Sequence, residues 1–477
     1  MAQLPVPGRA GPDASLTDGA AYTIDPLPAE PRAALRTLVD AGHEAVLVGG
    51  CVRDLITGRG ATDWDIATSA APEAVSELFP GSVWENRFGT VTLKGTPLVE
   101  ITSYRTESGY RDRRRPDAVA FGASLTGDLG RRDFTINAIA WRPDDLATGR
   151  GTLADPHGGI EDLRRGVVRA VGDPDERFDE DALRLLRAVR FSLRFGFAMD
   201  PATEGALVRA VPATATLSGE RVRDELLRLL EDESIAPSVA FARWEELGLL
   251  SVLLPELSAL RGVAQGKRLP GDALDHSVRT ADALPADDAV LRLAGLLHDL
   301  GKATTLADGQ FIGHERVGAE AAEGVMRRLR FSERDVERVT ALVRAHMFRY
   351  EPSWTDAAVR RFIVRVGLDR LDDLFALRAA DNAASDVEEP AAGGIAELRA
   401  RMAEQREAPL GTRQLAVDGH DLQRELGLAP GPRIGQVLAS LMETVLDDPS
   451  RNERETLLAV ARRALAADDA GLQEPDG

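Results

Sequence analysis

Cysteine is all but missing from this chain of 477 residues: Cys51 stands alone, so no intramolecular disulfide can brace the fold. Lysine is nearly as scarce, with Lys94, Lys267 and Lys302 the only three, so arginine carries the positive charge and counts as functional only by position. No apolar run approaches the roughly 18 residues that a membrane helix needs, which excludes an integral membrane protein built from helical spans. The Gly/Pro/Ala-rich start lacks the basic and apolar regions of a signal peptide, and a cytoplasmic location is the expectation. What is present is globular: 44% hydrophobic and 28% charged residues, in a chain long enough for about three domains of roughly 150 residues. Its 58 basic and 77 acidic residues leave a net charge of -19, which by itself argues against a nucleic-acid partner. Locally the sign changes, because Arg105 to Arg115 (RTESGYRDRRR) concentrates arginines against Glu107 and Asp112 and can hold phosphates.

The pattern along the chain predicts an α+β protein, a small mixed head followed by a long helical body. Residues 1–22 read as a disordered lead. From 23 to 165 short apolar or alternating runs predict strands at Val46 to Val48, Trp64 to Ala67, Thr90 to Leu93 and Leu98 to Tyr104, with a helix starting at Cys51. Beyond about residue 165 the strand signal disappears. Helical spacing takes over in Ala182 to Phe195, Arg221 to Leu230, Val290 to Leu300 and Val336 to His346. The expected segments are a neck over 166–265, a second helical domain over 266–386, and a linker with a helical tail over 387–477, the linker falling in Val387 to Pro409.

Asp63-Trp64-Asp65 enters a strand, and a period of two puts both carboxylates on one face, a hard-oxygen set suited to Mg²⁺ and to phosphates bridged by it. Such pairs also occur in solvated loops, but here Val48-Gly49-Gly50-Cys51-Val52-Arg53-Asp54 precedes it: a strand, a glycine turn that lets backbone approach a phosphate, and a helix start with free N–H groups beside the fork of Arg53. Cys51 reads as a small apolar filler.

The run LVGGCVRDLITGRGATDWDIATSA resembles the signature of the class II tRNA nucleotidyltransferase and bacterial poly(A) polymerase family. Further blocks match in the family's order. They are Arg131-Arg132-Asp133-Phe134-Thr135-Ile136-Asn137-Ala138, the stretch Leu153 to Leu163, and the run from Arg177 to Phe191 containing Glu180-Asp181, Arg184, Arg187 and Arg190. The resemblance spans about residues 46–197 and implies a head similar to DNA polymerase β and template-independent addition of CCA to tRNA 3′ ends from CTP and ATP. It implies Mg²⁺ on Asp63 and Asp65, with Glu100 the candidate third carboxylate. Gly49, Gly50, Arg53, Arg131 and Arg132 would grip phosphates, Asp133 and Asn137 would lie near the ribose or order the arginines, and Arg187 and Arg190 would lie near the nucleotide. Asp181 and Arg184, at i and i+3, would share one helix face and read the base edge. Cytosine and adenine both offer an amino donor beside an unprotonated ring nitrogen, so an Asp acceptor and an Arg donor admit them and reject uracil and guanine. The alternative at that spacing is an intrahelical salt bridge.

Within the family, Gly89-Thr90-Val91, in the segment from Asn86, looks more like CCA-adding members than poly(A) polymerases, which together with A-only addition are the alternatives. Tyr110 to Pro116 resembles a flexible head loop touching the tRNA acceptor stem.

In the body, His276, His298-Asp299, His314, His346 and Asp381 resemble the HD phosphohydrolase superfamily, whose ligands suit Mn, Ni, Co, Fe or Mg. A hydrolase with an RNA-binding head is therefore the reading from another class, and a degenerate scaffold domain the bland one. His420, before a helix expected to be capped by Asp421, reads as structural. The chain from Pro409 to Arg463 resembles a tail contacting tRNA near its elbow.

Overall fold

Ala45–Val48 carries four consecutive apolar side chains, all buried, and such a run needs cover on both faces. It becomes an interior strand of an eight-stranded mixed sheet. The computed structural model describes residues 15–85, 89–95, 97–108, 118–122, 124–265, 269–307, 310–385 and 392–471. Its first strands are β1 (Ala21–Thr23), β2 (Ala45–Val48), β3 (Trp64–Thr68), β4 (Val83–Glu85), β5 (Thr90–Leu93), β6 (Val99–Ser103), β7 (Arg105–Ser108), β8 (Ala118–Phe121), β9 (Ala140–Asp145) and β10 (Arg150–Ala154). The sheet runs β1-β10-β9-β2-β3-β6-β5-β4, with β7 and β8 a separate antiparallel pair. Only β3 and β6 are parallel neighbours in it, and their register sets Asp65 beside Glu100.

Five helices accompany these strands: α1 (Ala29–Asp40), α2 (Gly50–Ile56), α3 (Pro72–Leu78), α4 (Leu125–Gly130) and α5 (Gly159–Arg165). Then come α6 (Pro174–Glu180), α7 (Leu183–Phe195), α8 (Pro201–Ala210), α9 (Gly219–Glu231), α10 (Pro237–Glu246), α11 (Leu249–Leu253) and α12 (Pro255–Ser258). These elements form one compact unit running to Ser258, which also takes in Arg328–Arg330. The second unit, Ala259–Arg327 and Phe331 onward, contains α13 (Ala273–Asp282), α14 (Ala289–Leu297), α15 (Lys302–Thr305), α16 (His314–Arg328), α17 (Glu333–Ala345), α18 (Asp356–Val366), α19 (Leu371–Ala383), α20 (Ala392–Glu404), α21 (Gly419–Leu426), α22 (Pro432–Asp447) and α23 (Arg454–Gly471). No described helix is long and apolar enough to cross a membrane.

Several expectations change. The lead does not extend to residue 22, because β1 pairs with β10, the Trp141 indole N–H donates to the Tyr22 carbonyl at 2.9 Å, and Leu16 is buried. Strand pairing continues beyond residue 165 in two short pairs, Val167–Val168 with Ala198–Met199 and Leu306–Ala307 with Gln310–Phe311. The expected linker contains α20, whose Leu398 and Met402 are buried, and the Arg360 guanidinium ties α18 to the Leu446 and Asp447 carbonyls at 2.8 and 3.1 Å. Asp421 is not the cap of α21: Asp418 is, and Asp421 answers it three residues on in a capping box. Asp181 lies outside any helix, in extended backbone between α6 and α7.

One close approach positions a site residue. A Cβ at Gly159 would stand 2.1 Å from the Thr135 carbonyl oxygen, in the short turn Thr135–Asn137 that presents Asn137. Gly159→Ala is expected to lower unfolding free energy by about 2 kcal/mol, read by urea denaturation; an unchanged midpoint would mean that the turn shifts freely.

Candidate active site and metal centre

The first unit holds a cleft of about 1100 Å³ lined by Asp63, Asp65, Glu100, Gly50, Arg53, Arg131, Arg132, Asp133, Asn137, Asp181, Arg184, Arg187 and Arg190. Every expected head residue except Gly49 thus lines one space. Asp63 precedes β3 and is exposed, Asp65 is its second residue, and Trp64 between them is buried, so the period of two holds. Burial raises the Asp65 pKa, Arg132 opposes the shift and Asp63 adds to it. Two neighbouring carboxylates, one of them desolvated, gain most from a shared cation. Buried and beside Asp65, the Cys51 thiol is pushed up to about 12, which leaves it the inert filler expected.

Gly49 has φ 77°, and the position a Cβ would take lies 2.6 Å from Arg132 Nη1 and 3.5 Å from Asp65 Oδ2. Its missing side chain therefore admits an arginine beside the acidic pair. Arg53, 5% exposed, is held by both Asp54 oxygens at 2.9 Å and by Asn137 Oδ1, over the Phe195 ring. Asp133 Oδ1 accepts from the Phe134 and Asn137 amides, and Oδ2 accepts from Arg187 Nε at 2.7 Å. Asp133 and Asn137 thus each hold an arginine of the cleft, Arg187 and Arg53 respectively.

Asp181 and Arg184 do not share a helix, and although the Arg184 amide donates to the Asp181 carbonyl at 3.0 Å, their side chains take different partners. Asp181 accepts from both terminal nitrogens of Arg221 at 2.9 and 2.7 Å and from the Leu183 amide at 3.0 Å. Arg184 donates to Glu180 at 2.6 Å and to the Arg177 and Arg131 carbonyls, both at 3.1 Å. Both still open on the cleft.

Sequence reasoning missed the acids behind the arginines. Asp128, fully buried, accepts from Arg131 at 2.9 Å and lies 3.7 Å from Arg132. Glu225, 2% exposed, takes Arg190 at 2.7 Å and Arg228 at 3.1 Å. Asp128 was findable, standing three and four residues before Arg131-Arg132. Glu225 and Arg221 carried no local signal. Of the arginine-rich segment, residues 109–117 lie outside the described residues, as do Asn86 to Phe88 of the family discriminator.

In the second unit, six buried residues of two ligand types converge: His276, His298, Asp299, His314, His346 and Asp381. Nδ1 of His298, His314 and His346 lies 2.7 Å from a backbone carbonyl, of Gly295, Phe311 and Val343 respectively, which fixes the proton there and turns Nε2 inward. Two triads share His298: His276, His298 and Asp381, and His298, Asp299 and His346, the donor atoms of each within 4.8 Å of one another. His314 Nε2 lies 3.5 Å from Asp299, and Nε2 of both His314 and His346 is buried with no hydrogen-bond partner. Burial, with His298 beside it, takes the His346 pKa down to about 3, so the ring is neutral and its lone pair available. Burial opposes ionisation of Asp299, but His298 and Lys302 hold its pKa well below the usual range. Lys302 lies 2.5 Å from Asp299 and 2.7 Å from Gln265. This donor set fits a divalent metal, with the orphaned Nε2 atoms of His314 and His346 lying 3.5 and 3.7 Å from Asp299 Oδ1.

For Asp133, burial works against the charged form, yet Arg187 and Asn137 outweigh it and lower the carboxyl from 3.8 to about 2. A pKa depressed on folding stabilises above the unfolded value and loses that contribution as pH falls through the folded one. Asp133→Asn should therefore cost about 2 kcal/mol at neutral pH, and the gap to wild type should narrow as the pH drops below 3.8 towards 2. Denaturant unfolding at pH 7 and pH 3 checks it; an equal gap at both would assign the cost to packing.

The Poly A polymerase head domain family matches residues 45–169, the probable RNA and SrmB-binding site of polymerase A matches 196–260, and the tRNA nucleotidyltransferase domain 2 family matches 311–461. An A-adding tRNA nucleotidyltransferase of Deinococcus radiodurans is 37% identical over 84% of this chain and 91% of its own. A CCA-adding enzyme of Geobacillus stearothermophilus is 34% identical over 89% of this chain and 94% of its own. Among solved structures, the Bacillus stearothermophilus CCA-adding enzyme in complex with CTP superposes with a TM-score of 0.65 at 30% identity, covering 93% of this chain and 98% of that one. Likeness of this extent, running through head, neck and body alike, makes the chain a member of the tRNA nucleotidyltransferase and poly(A) polymerase family.

Proposed function

We propose that the protein extends tRNA 3′ ends with C, C and A, drawing CTP and ATP into the head cleft with no nucleic-acid template, in the cytoplasm. The observation that carries this reading is the parallel β3/β6 register, which sets Glu100 beside Asp65 next to the arginines and the Asp181/Arg184 base readers. Three hard-oxygen carboxylates suit Mg²⁺, which when bound would acidify the primer 3′-hydroxyl and neutralise the triphosphate. Around it the chain's own groups orient the substrate. Gly50 lets backbone come close to the phosphates, and Arg131 and Arg132, braced by Asp128, present donors to them. Asp181 accepts from the exocyclic amine, and Arg184, whose fork of five N–H groups makes bonds to Glu180 and to the Arg177 and Arg131 carbonyls, retains donors for the unprotonated ring nitrogen.

A second reading, A-only addition, is favoured by one observation: the relative at 37% identity is an A-adding enzyme. Both readings are tested with transcripts ending at the discriminator base, at C and at CC, each offered CTP, ATP or both. CCA, CA and A additions that then stop support the first; extension of the CC end alone supports the second, and long A tails on any RNA would make it a poly(A) polymerase. Asp63→Ala should reduce incorporation at least about a thousandfold while the protein stays folded. Near-normal activity would remove the acidic pair from the chemistry.

The histidine-rich centre reads as a divalent-metal site for Mn, Ni, Co, Fe or Mg in an HD-type domain. A metal there would supply a polarised water for attack on phosphorus, a phosphohydrolase chemistry distinct from the head's. Its support is the pair of partnerless buried nitrogens on His314 and His346. After metal loading and dialysis, elemental analysis should find bound metal in wild type and in His420→Ala, and little in His298→Ala. Equal metal in all three excludes His298 as a ligand.

A further inference from the structure

Helix α9 contributes two side chains, four residues apart on one face, that reach back to the neck's recognition elements. Glu225 takes Arg190, while Arg221 spans 40 residues to grip Asp181 with both terminal nitrogens, at 2.9 and 2.7 Å. Asp181 leans on that grip, because it stands in extended backbone between two helices (φ -153°, ψ 105°), where the start of α7 holds only Oδ1, through the Leu183 amide, and leaves Oδ2 to Arg221.

A carboxylate has about two acceptor directions on each oxygen. On Asp181, Oδ1 already accepts from Arg221 Nη1 and from the Leu183 amide at 3.0 Å, whereas Oδ2 accepts from Arg221 Nη2. The bonds formed thus fill Oδ1 and leave Oδ2 as the oxygen with an acceptor direction for a ligand. We infer that Arg221 is a positioning residue for nucleotide choice: its fork fixes which oxygen of Asp181 meets the incoming base, and in which direction. Only an amino donor at one place on the base edge satisfies an oxygen so held. A carbonyl there meets lone pair against lone pair. Released from Arg221, Asp181 keeps only the Leu183 amide on Oδ1, and Oδ2 can turn about that anchor, bond through water and tolerate uracil or guanine.

The inference rests on the reading of Asp181 as the base acceptor, and the test separates the two. Full-length wild type, Arg221→Ala, Arg221→Gln, Asp181→Ala and the Arg221→Ala/Asp181→Ala double variant are assayed on tRNA transcripts, each with a single nucleotide. The readout is kcat/KM for ATP over GTP and for CTP over UTP. Arg221→Ala should narrow both ratios by about tenfold, Arg221→Gln by a smaller factor, and the double variant should match Asp181→Ala alone. Uniform loss of activity or melting temperature in Arg221→Ala, with both ratios intact, overturns the positioning role; Arg221→Gln answers the same question where the alanine variant does not fold. Ratios unchanged in Asp181→Ala would instead overturn the reading of Asp181, and the inference with it.

Discussion

Arginines cannot be packed side by side in a half-buried cleft unless each has a counter-charge, since desolvating an unpaired guanidinium costs several kcal/mol. The head and neck solve this by placing acids in or behind the cleft wall. Asp128 serves Arg131 and Arg132, Asp133 serves Arg187, Glu225 serves Arg190, and Asp54 serves Arg53. The acids come from α4, the following turn, α9 and α2, so the constellation spans the sheet and the neck helices. Folding these elements together is what creates the site. Aromatic rings complete the wall: Phe191 lies against Arg187 and Arg190, and Phe195 against Arg53, planar groups on flat faces.

The second unit handles a cluster of polar groups by the opposite device. Beside one charge pair it uses backbone carbonyls, each taking the Nδ1 proton of a histidine, so that the rings converge through Nε2 on two buried acids. Asp299 is the hub, with His298 at 3.1 Å and Lys302 at 2.5 Å. The ammonium balances a carboxylate that would otherwise be costly so deep in the protein. Two polar centres in one chain are thus built by different rules: fixed cations in the head suit an anionic substrate, and fixed lone pairs in the body suit a cation.

Local periodicity made much of this legible. β5 has the limits its alternation predicts, β2, β3 and β6 differ from expectation by a residue or two, and the period of two correctly turned Asp63 and Asp65 to one side of Trp64. The motif spacings brought together residues from Gly50 to Arg190 in one cleft and six histidine and aspartate residues in one centre. What stayed hidden was long-range or decided by a single backbone torsion. Nothing local in α9 marks Arg221 as the partner of Asp181, and helical spacing joined Asp181 to Arg184 across a break that only its extended φ and ψ disclose. The lead was misjudged for a similar reason: a run of only three residues, too short to signal a strand, gains a partner in β10 and a donor in Trp141, both far along the chain.

The acidic net charge also loses its force as an objection to an RNA and nucleotide enzyme. The cleft is lined by nine arginines (53, 105, 131, 132, 184, 187, 190, 194 and 228) and eight carboxylates (63, 65, 100, 133, 181, 231, 232 and 233), so its own charge nearly cancels. A bare triphosphate gains little from such a surface by long-range attraction. Its metal complex, with much of its charge already neutralised, needs instead donors held in fixed directions, which paired arginines provide because each partner removes a rotational freedom. On this view the acids do not weaken the arginines. They convert a patch that would attract any polyanion into one that selects by geometry, and the cost in affinity is the condition for choosing between bases that differ only in where an amine and a carbonyl stand.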